Sequence, residues 1–253
     1  MLTMRPEQVD AFRQHHLQKF EDEMVEHLKK FSPQHWRVIK EPDGRRAIKL
    51  GIERARAYGF TSRGPVRFYL ELMLKFGSYF DTDPQYSWAR EVLVDPEDID
   101  QMVRANWLHD RLSLYEAITL GQGRKYLLAA LLRLSHLRIE DFVKVDATAE
   151  DVAVKGLWEV YPEKCDYLKK TAIRAFVRHS FEVAGSCGLT TKKGALLSAA
   201  LAFFVGHGFP NDPLYAWIEK RLGEQRRPEE RDRTDEIYSK AMLYLNHALD
   251  MGS

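Results

Sequence analysis

One stretch of the chain occurs twice, and this duplication limits the folds that the sequence can adopt. Residues 58–93 align without a gap with residues 187–222, at a constant shift of 129 residues. Ten of the 36 aligned positions are identical, whereas ordinary residue frequencies would give about two. A repeat of two copies predicts two related structural units within one chain.

The repeated residues are of the kinds that begin and end helices. Glycine at the end of a helix takes the left-handed conformation, threonine after it caps the next helix, and Asp-Pro begins a third. The identical pairs are Gly59/Gly188, Thr61/Thr190, Leu72/Leu201, Gly77/Gly206, Phe80/Phe209, Asp83/Asp212, Pro84/Pro213, Tyr86/Tyr215, Trp88/Trp217 and Leu93/Leu222. Each copy, about 44–93 and 173–222, is therefore predicted to form a helix–turn–helix–loop–helix unit.

The remaining sequence also has a helical pattern. Apolar residues recur every three or four positions, and no run alternates as a strand would. We therefore predict an all-α fold of about nine or ten helices that forms a single compact body over residues 1–253. Asp43 and Asp95 are predicted to precede helices. The very apolar segments Gly194–Gly206 and Tyr126–Leu137 are predicted to be central.

The middle helices of the two copies differ in character. The first copy has a charged stripe with a spacing of four residues, and most of the same positions are apolar in the second copy. The stripe consists of Arg63, Arg67, Glu71 and Lys75, and its counterparts are Lys192, Leu196, Ala200 and Phe204. A helix that is apolar on all sides is usually buried. The first middle helix is thus expected on the surface, and the second is expected in the core.

Composition excludes some function classes. Lys plus Arg number 38 and Asp plus Glu number 37, so the chain lacks the basic excess of a dedicated nucleic-acid binder. Two cysteines indicate a reducing compartment rather than a disulfide framework. The N-terminus has no signal-peptide pattern, and the most apolar segment is too short to cross a bilayer. We expect a cytoplasmic protein without a membrane partner.

No catalytic motif is present, and no cofactor is predicted. Glu23 with His27, and His179 with Glu182, have spacings that occur in helical metal sites. A metal-dependent helical enzyme built on these four residues is the alternative. The sequence favours a non-catalytic role, without catalytic, cofactor-binding or metal-binding residues.

A local excess of basic residues indicates a different kind of site. Between Gly44 and Phe68 there are seven basic residues and one acidic residue. Such a run is either a solvated helical face, a docking surface for an acidic protein, or a nucleic-acid-binding face. The candidate partner-binding residues are Arg45, Arg46, Lys49, Arg63 and Arg67.

The first third of the chain also resembles a known group of proteins. The segments FRQHHLQKFEDEMVEHLKKF, GIERARAYGFTS, YLELMLKFGSYFDTD and WAREVL, within residues 1–95, are similar to small helical proteins of proteobacteria. Those proteins are often encoded beside type VI secretion spike and effector genes. The resemblance implies an accessory, adaptor or immunity protein whose partner is a secreted effector or toxin. We therefore predict a protein-interaction module of a bacterial secretion or toxin system.

Overall fold

The computed structural model describes residues 5–94, 99–223 and 230–250, and these ranges are helical, without any strand. The α-helices are α1 Pro6–Phe31, α2 Pro33–Val38, α3 Glu41–Ala57, α4 Arg63–Phe76, α5 Ser87–Val94, α6 Gln101–Thr119, α7 Lys125–His136, α8 Ile139–Val143, α9 Ala149–Val160, α10 Pro162–Ser186, α11 Lys192–Val205, α12 Ala216–Gly223 and α13 Glu230–Asp250. Short 3₁₀ helices cover Pro84–Tyr86, Gln122–Arg124, Phe209–Asn211 and Pro213–Tyr215. The all-α prediction is confirmed.

The described residues form thirteen α-helices, so the predicted count of nine or ten is not confirmed. Helices α2 and α8 are too short to show a period in the sequence, and both were missed. Helix α3 begins at Glu41, because Pro42 suits its first turn, and Asp43 therefore lies inside the helix instead of capping it. Asp95 lies outside the described residues, and Asp100 caps α6 through the backbone amide of Met102 at 2.8 Å.

The repeated glycines and aspartates act as predicted, but the threonines do not. Gly59 and Gly188 both have positive φ, and each follows the end of a helix, where this conformation is expected. Asp83 and Asp212 accept hydrogen bonds from the amides two residues later. The residues before α4 and α11 are Ser62 and Thr191, so the caps fall one residue after Thr61 and Thr190.

Many helix bounds recur at the shift found in the sequence. We call α1–α6 the first half and α9–α13 the second half. The bounds of α4 and α5 match those of α11 and α12 at a shift of 129 residues, and α6 and α13 begin at matching positions. Helix α10 matches α2 and α3 together, and its non-helical residue Lys169 corresponds to Lys40, which precedes α3.

The two halves meet at their matching loops. A Cβ atom at Gly77 would lie 2.5 Å from the carbonyl oxygen of Val205, and one at Gly206 would lie 2.7 Å from that of Phe76. Only glycine permits so close an approach at these positive φ values. The backbones of the two loops are therefore in direct contact at equivalent positions.

The same loops exchange hydrogen bonds. Asp83 accepts a bond from the backbone amide of His207 at 2.8 Å, and Asp212 accepts one from the amide of Ser78 at 2.7 Å. Ser78 and His207 are themselves equivalent under the shift of 129 residues. Each aspartate thus caps a helix of its own half and also binds the backbone of the other half.

Each half has its own hydrophobic core. The first core contains a dense aromatic group, in which the ring of Phe76 lies 4.6–6.0 Å from the rings of Tyr86, Trp88 and Tyr115. In the second core α11 is central, with Leu196 and most of its neighbours buried.

Helix α7 is not packed as predicted. Ala130 is its one buried residue, although the segment Tyr126–Leu137 is strongly apolar. The expectation that α7 is a central helix is wrong, because Leu127 and Leu134 border a cavity as well as packing against the second core, and Leu132 is 50% exposed.

Candidate functional site

A large cavity lies beneath α7. Its volume is about 730 Å³, which falls in the range of small-molecule binding sites. Helices α7, α8, α9, α11, α12 and α13 supply most of the wall, and residues of α2, α4 and α6 complete it from the first half. The cavity is therefore enclosed by the second half together with helices α7 and α8, with a smaller contribution from the first half.

The wall is predominantly apolar. It contains Leu127 and Leu131 of α7, Phe142 of α8, Leu157 of α9 and Phe204 of α11, among others. The α7 leucines are only half-buried. An apolar wall of this size leaves dispersion contacts unmade unless a ligand fills the space.

The charged residues of the wall have a single sign. They are Lys75, Arg124 and Lys164, with His35 as a fourth basic group, and no Asp or Glu among the described residues lines the cavity. His35 and Lys164 are equivalent under the shift of 129 residues. Because Lys75 is paired with Glu116 and Arg124 is exposed, Lys164 is the main positive charge that favours an anion inside the cavity.

Lys164 is the deeply buried member of this set. Its side chain is 5% exposed, and Nζ donates a hydrogen bond to the carbonyl oxygen of Phe203 at 2.7 Å. That carbonyl belongs to the last turn of α11, where helical partners are missing and a cation is favourable. Nζ also lies 4.2 Å from the ring centre of Phe203 and 5.6 Å from that of Tyr86.

Burial lowers the pKa of Lys164 to about 8, although the negative charge of Asp83 opposes this shift. Within the described residues no carboxylate lies within 4 Å of Nζ. The ammonium group has three donors, and the Phe203 carbonyl takes one. The side chain therefore retains capacity for an acidic group that enters the cavity.

Tyrosine hydroxyls supply further polar groups near Lys164. Tyr86, Tyr115 and Tyr161 all line the cavity. The Tyr161 hydroxyl donates to the carbonyl oxygen of Thr119 at 2.8 Å. Burial raises the pKa of each of these tyrosines, so they remain neutral and add no negative charge to the wall.

The other basic groups lie on α2, α4 and the turn before α7. Burial and the positive charge of Arg124 lower the pKa of His35. Lys75 pairs with Glu116 at 2.6 Å. Arg124 has a left-handed backbone with φ of 60°, a conformation that costs free energy in a residue with a side chain.

The predicted partner-binding residues lie on α3 and α4, away from the cavity wall. Each of the five has a carboxylate within 4 Å, mostly from another helix. Arg45 pairs with Asp22 and Glu41, Arg46 with Asp43 and Glu219, Lys49 with Glu21, Arg63 with Glu23, and Arg67 with Glu71. The basic run of the sequence is thus surrounded by acidic residues in the fold.

The residues of the alternative metal site are not brought together. His27 Nε2 lies 2.6 Å from Glu71 and Glu23 pairs with Arg63. His179 lies 3.5 Å from His207, with Glu182 at 3.7 Å from its other ring nitrogen. Across residues 5–94, 99–223 and 230–250, no group of three or more His, Cys, Asp or Glu side chains is placed to hold a metal ion.

Sequence reasoning missed Lys164 and the cavity. The non-helical residue Lys169 interrupts α10. A helical period that is read from the buried residues after Lys169 therefore does not place Lys164 on the buried side. The usable signal was the equivalence of Pro33 with Pro162, which extends the repeat and aligns Lys164 with His35.

Comparison of the chain with models of known protein families, with curated proteins and with solved structures finds no match. None of the helices in the described part of the chain has the length and apolar character needed to span a membrane. The function is therefore inferred from the geometry of the site.

Proposed function

We propose that this protein binds a small amphiphilic molecule, with its apolar tail in the cavity and an acidic head group at Lys164. The observation that carries the proposal is the combination of a cavity of about 730 Å³ with a wall whose charged residues are all basic. A carboxylate or phosphate would accept the hydrogen bonds that the Lys164 ammonium does not use within the protein. The role is binding without catalysis.

The pH dependence of binding follows from Lys164. Its pKa is lowered to about 8, so the side chain is mostly charged at neutral pH and loses its charge as the pH rises. Affinity for an anionic ligand should be constant below that pKa and should fall by up to about tenfold per pH unit above it. An uncharged ligand of equal length should show no such fall.

Dodecanoate and dodecanol are suitable probes, because they share a tail and differ in the head group. Calorimetric titration of the purified protein should show binding of dodecanoate at neutral pH and weaker binding of dodecanol. Lys164→Met keeps the length of the side chain but removes the charge, and it should abolish the difference between the two probes. Lys155→Met is the matched control, because Lys155 is exposed on α9 outside the cavity wall.

Two results would overturn the proposal. One is a protein that binds neither probe. The other is a Lys164→Met protein, correctly folded by circular dichroism, that still prefers dodecanoate with an unchanged pH profile.

We further infer that residues of about 44–93 and 173–222 are two related units within a single body. The matching helix bounds, the contact of Gly77 with Gly206 and the exchanged bonds of Asp83 and Asp212 support this inference.

A second candidate function is the protein interaction that the resemblance implies, in a cytoplasmic secretion or toxin system. Its supporting observation is exposure, because Arg46, Lys49, Arg63 and Arg67 are each more than half exposed. Co-purification from the native host with mass spectrometry would identify a partner. Glutamate at Arg45, Arg46, Arg63 and Arg67 should weaken its binding, most strongly at low salt, and unchanged binding would remove this face from the account.

A further inference from the structure

Two histidines meet where the second half contacts the first. His179 lies on α10, and His207 lies in the loop between α11 and the 3₁₀ helix Phe209–Asn211. Nδ1 of His207 is 3.5 Å from Nε2 of His179, and neither residue lines the cavity. The side chain of His179 is 42% exposed, so the pair can be reached from solvent.

The surroundings of His207 determine which of its nitrogens carries the proton. Nε2 lies 3.2 Å from the carbonyl oxygen of Tyr79 and 3.1 Å from the hydroxyl oxygen of Thr82. A carbonyl can only accept a hydrogen bond, and the Thr82 hydroxyl donates its own hydrogen to the same carbonyl. We therefore assign the proton to Nε2, which leaves the lone pair of Nδ1 on the side of His179.

The surroundings of His179 favour the complementary arrangement. Its Nδ1 lies 3.7 Å from a carboxylate oxygen of Glu182, and this negative charge stabilises a proton on Nδ1 and leaves a lone pair on Nε2. Histidines that bind metal ions usually have a carboxylate or a backbone carbonyl at the nitrogen that faces away from the metal. Both histidines of the pair have such a group at that nitrogen.

The distance between the two facing nitrogens fits a shared metal ion better than a hydrogen bond. Hydrogen bonds donated by N–H groups are mostly about 2.7–3.2 Å long, and the 3.5 Å between these nitrogens is longer. Zn²⁺ binds imidazole nitrogen at about 2.0–2.1 Å with tetrahedral angles, which places two ligand nitrogens about 3.3–3.4 Å apart. The pair therefore already has nearly the spacing of two zinc ligands.

The first half has no such pair. Leu50 and Ser78 occupy the positions equivalent to His179 and His207. The matching helices of the first half form without an imidazole ring at either position. The histidine pair is therefore not a requirement of the arrangement that the two halves share.

We propose that His179 and His207 bind a divalent transition-metal ion of the Zn²⁺ class, through Nε2 of His179 and Nδ1 of His207. Water completes the coordination, because no third His, Cys, Asp or Glu of the described residues joins the pair. Imidazole ligands suit Zn²⁺, Ni²⁺ and Cu²⁺, whereas Mg²⁺ prefers oxygen ligands. The inference does not depend on ligand binding in the cavity.

Calorimetric titration with Zn²⁺ tests the proposal on the full chain, purified without a histidine tag and treated with a chelator. Wild type should bind one Zn²⁺ per chain, and a large excess of Mg²⁺ should not compete. His179→Gln and His207→Gln each remove one of the two protein ligands, so each should weaken Zn²⁺ binding by about tenfold or more. His109→Gln is the matched control, because His109 is 66% exposed on α6, outside the pair.

Thermal denaturation supplies a second measurement. A metal ion that binds only the folded protein raises the melting temperature, so Zn²⁺ should stabilise wild type and His109→Gln but not His179→Gln. Because His179 is partly exposed, its replacement tests the site even if His207→Gln does not fold. A wild type that does not bind Zn²⁺, a His179→Gln protein that binds it as tightly as wild type, or effective competition by Mg²⁺ would each overturn the proposal.

Discussion

The two halves are built from helices with matching bounds, but their interiors are filled differently. In the first half, aromatic rings pack closely around Phe76, and the polar pair of Arg54 with Asp81 is enclosed. In the second half, Val183 and Pro210 occupy the positions equivalent to that pair, and a cavity lies beneath α7. The first half therefore has a dense core, whereas the second half encloses a chamber together with α7 and α8, which have no counterpart in the first half.

The largest expected effect breaks the polar pair that the first half alone contains. Arg54 donates hydrogen bonds to Asp81 at 2.7 and 2.8 Å, and Asp81 is 1% exposed. Arg54→Ala would leave a buried carboxylate without its cation, so the free energy of unfolding should fall by about 3–5 kcal/mol. Urea denaturation measures this loss. Replacement of the equivalent Val183 by Ala should lower the free energy of unfolding by less. Equal losses in the two variants would contradict the difference between the two halves.

The next effect tests the contact between the halves. Asp83→Ala removes a helix cap and also the acceptor for the His207 amide, and Asp212→Ala does the same for Ser78. Each variant should lose about 2–4 kcal/mol, because a cap and a buried hydrogen bond disappear together. The losses are measured by thermal denaturation. A large loss in one variant and none in the other would show that the two contacts are not equivalent.

A matched pair of leucines compares the two cores directly. Leu28 and Leu157 are equivalent, and they are 3% and 5% exposed. Leu28 lies in the first core, whereas Leu157 borders the cavity. Leu28→Ala should cost about 3–4 kcal/mol, and Leu157→Ala should cost about 1 kcal/mol less, because fewer contacts are lost beside an existing space. Chemical denaturation measures the loss of unfolding free energy in both variants. A larger loss at Leu157 would mean that the second core is as dense as the first.

The smallest effect fills the chamber. Ala200 borders the cavity and is half-buried, whereas Ala202 on the same helix is 1% exposed and lies away from the wall. Ala200→Phe should raise stability by about 1 kcal/mol, because it buries a ring in unfilled space. Ala202→Phe should lower stability by about 1–3 kcal/mol through overpacking. Differential scanning calorimetry separates the two. Destabilisation by both substitutions would argue that the cavity does not accept a side chain.

Local signals in the sequence predicted much of the fold. Gly59 and Asp83 act through neighbours only a few residues away, and such short-range rules identify helix ends reliably. The predicted cap at Asp43 failed because Pro42 allows the helix to begin earlier. Helix α2 was missed because six residues contain less than two helical turns.

The candidate site was less predictable, because it depends on contacts between distant residues. The basic run around Arg45 looked unpaired in the sequence, but Arg45 pairs with Asp22 on α1 across 23 residues. Lys164 meets the carbonyl of Phe203 across 39 residues. An empty space beside α7 has no signature in hydrophobic periodicity, since a leucine that faces a cavity and one that faces a packed neighbour give the same pattern.

The exchanged bonds of Asp83 and Asp212 also bear on cooperativity. The backbone amides of Ser78 and His207 obtain their acceptors from the opposite half. If either half opened alone, the other would lose an acceptor for a buried or half-buried amide, which costs free energy. Local opening of one half is therefore penalised in the half that stays folded. We expect the chain to unfold in a single transition and not as two independent units, despite the different density of their interiors.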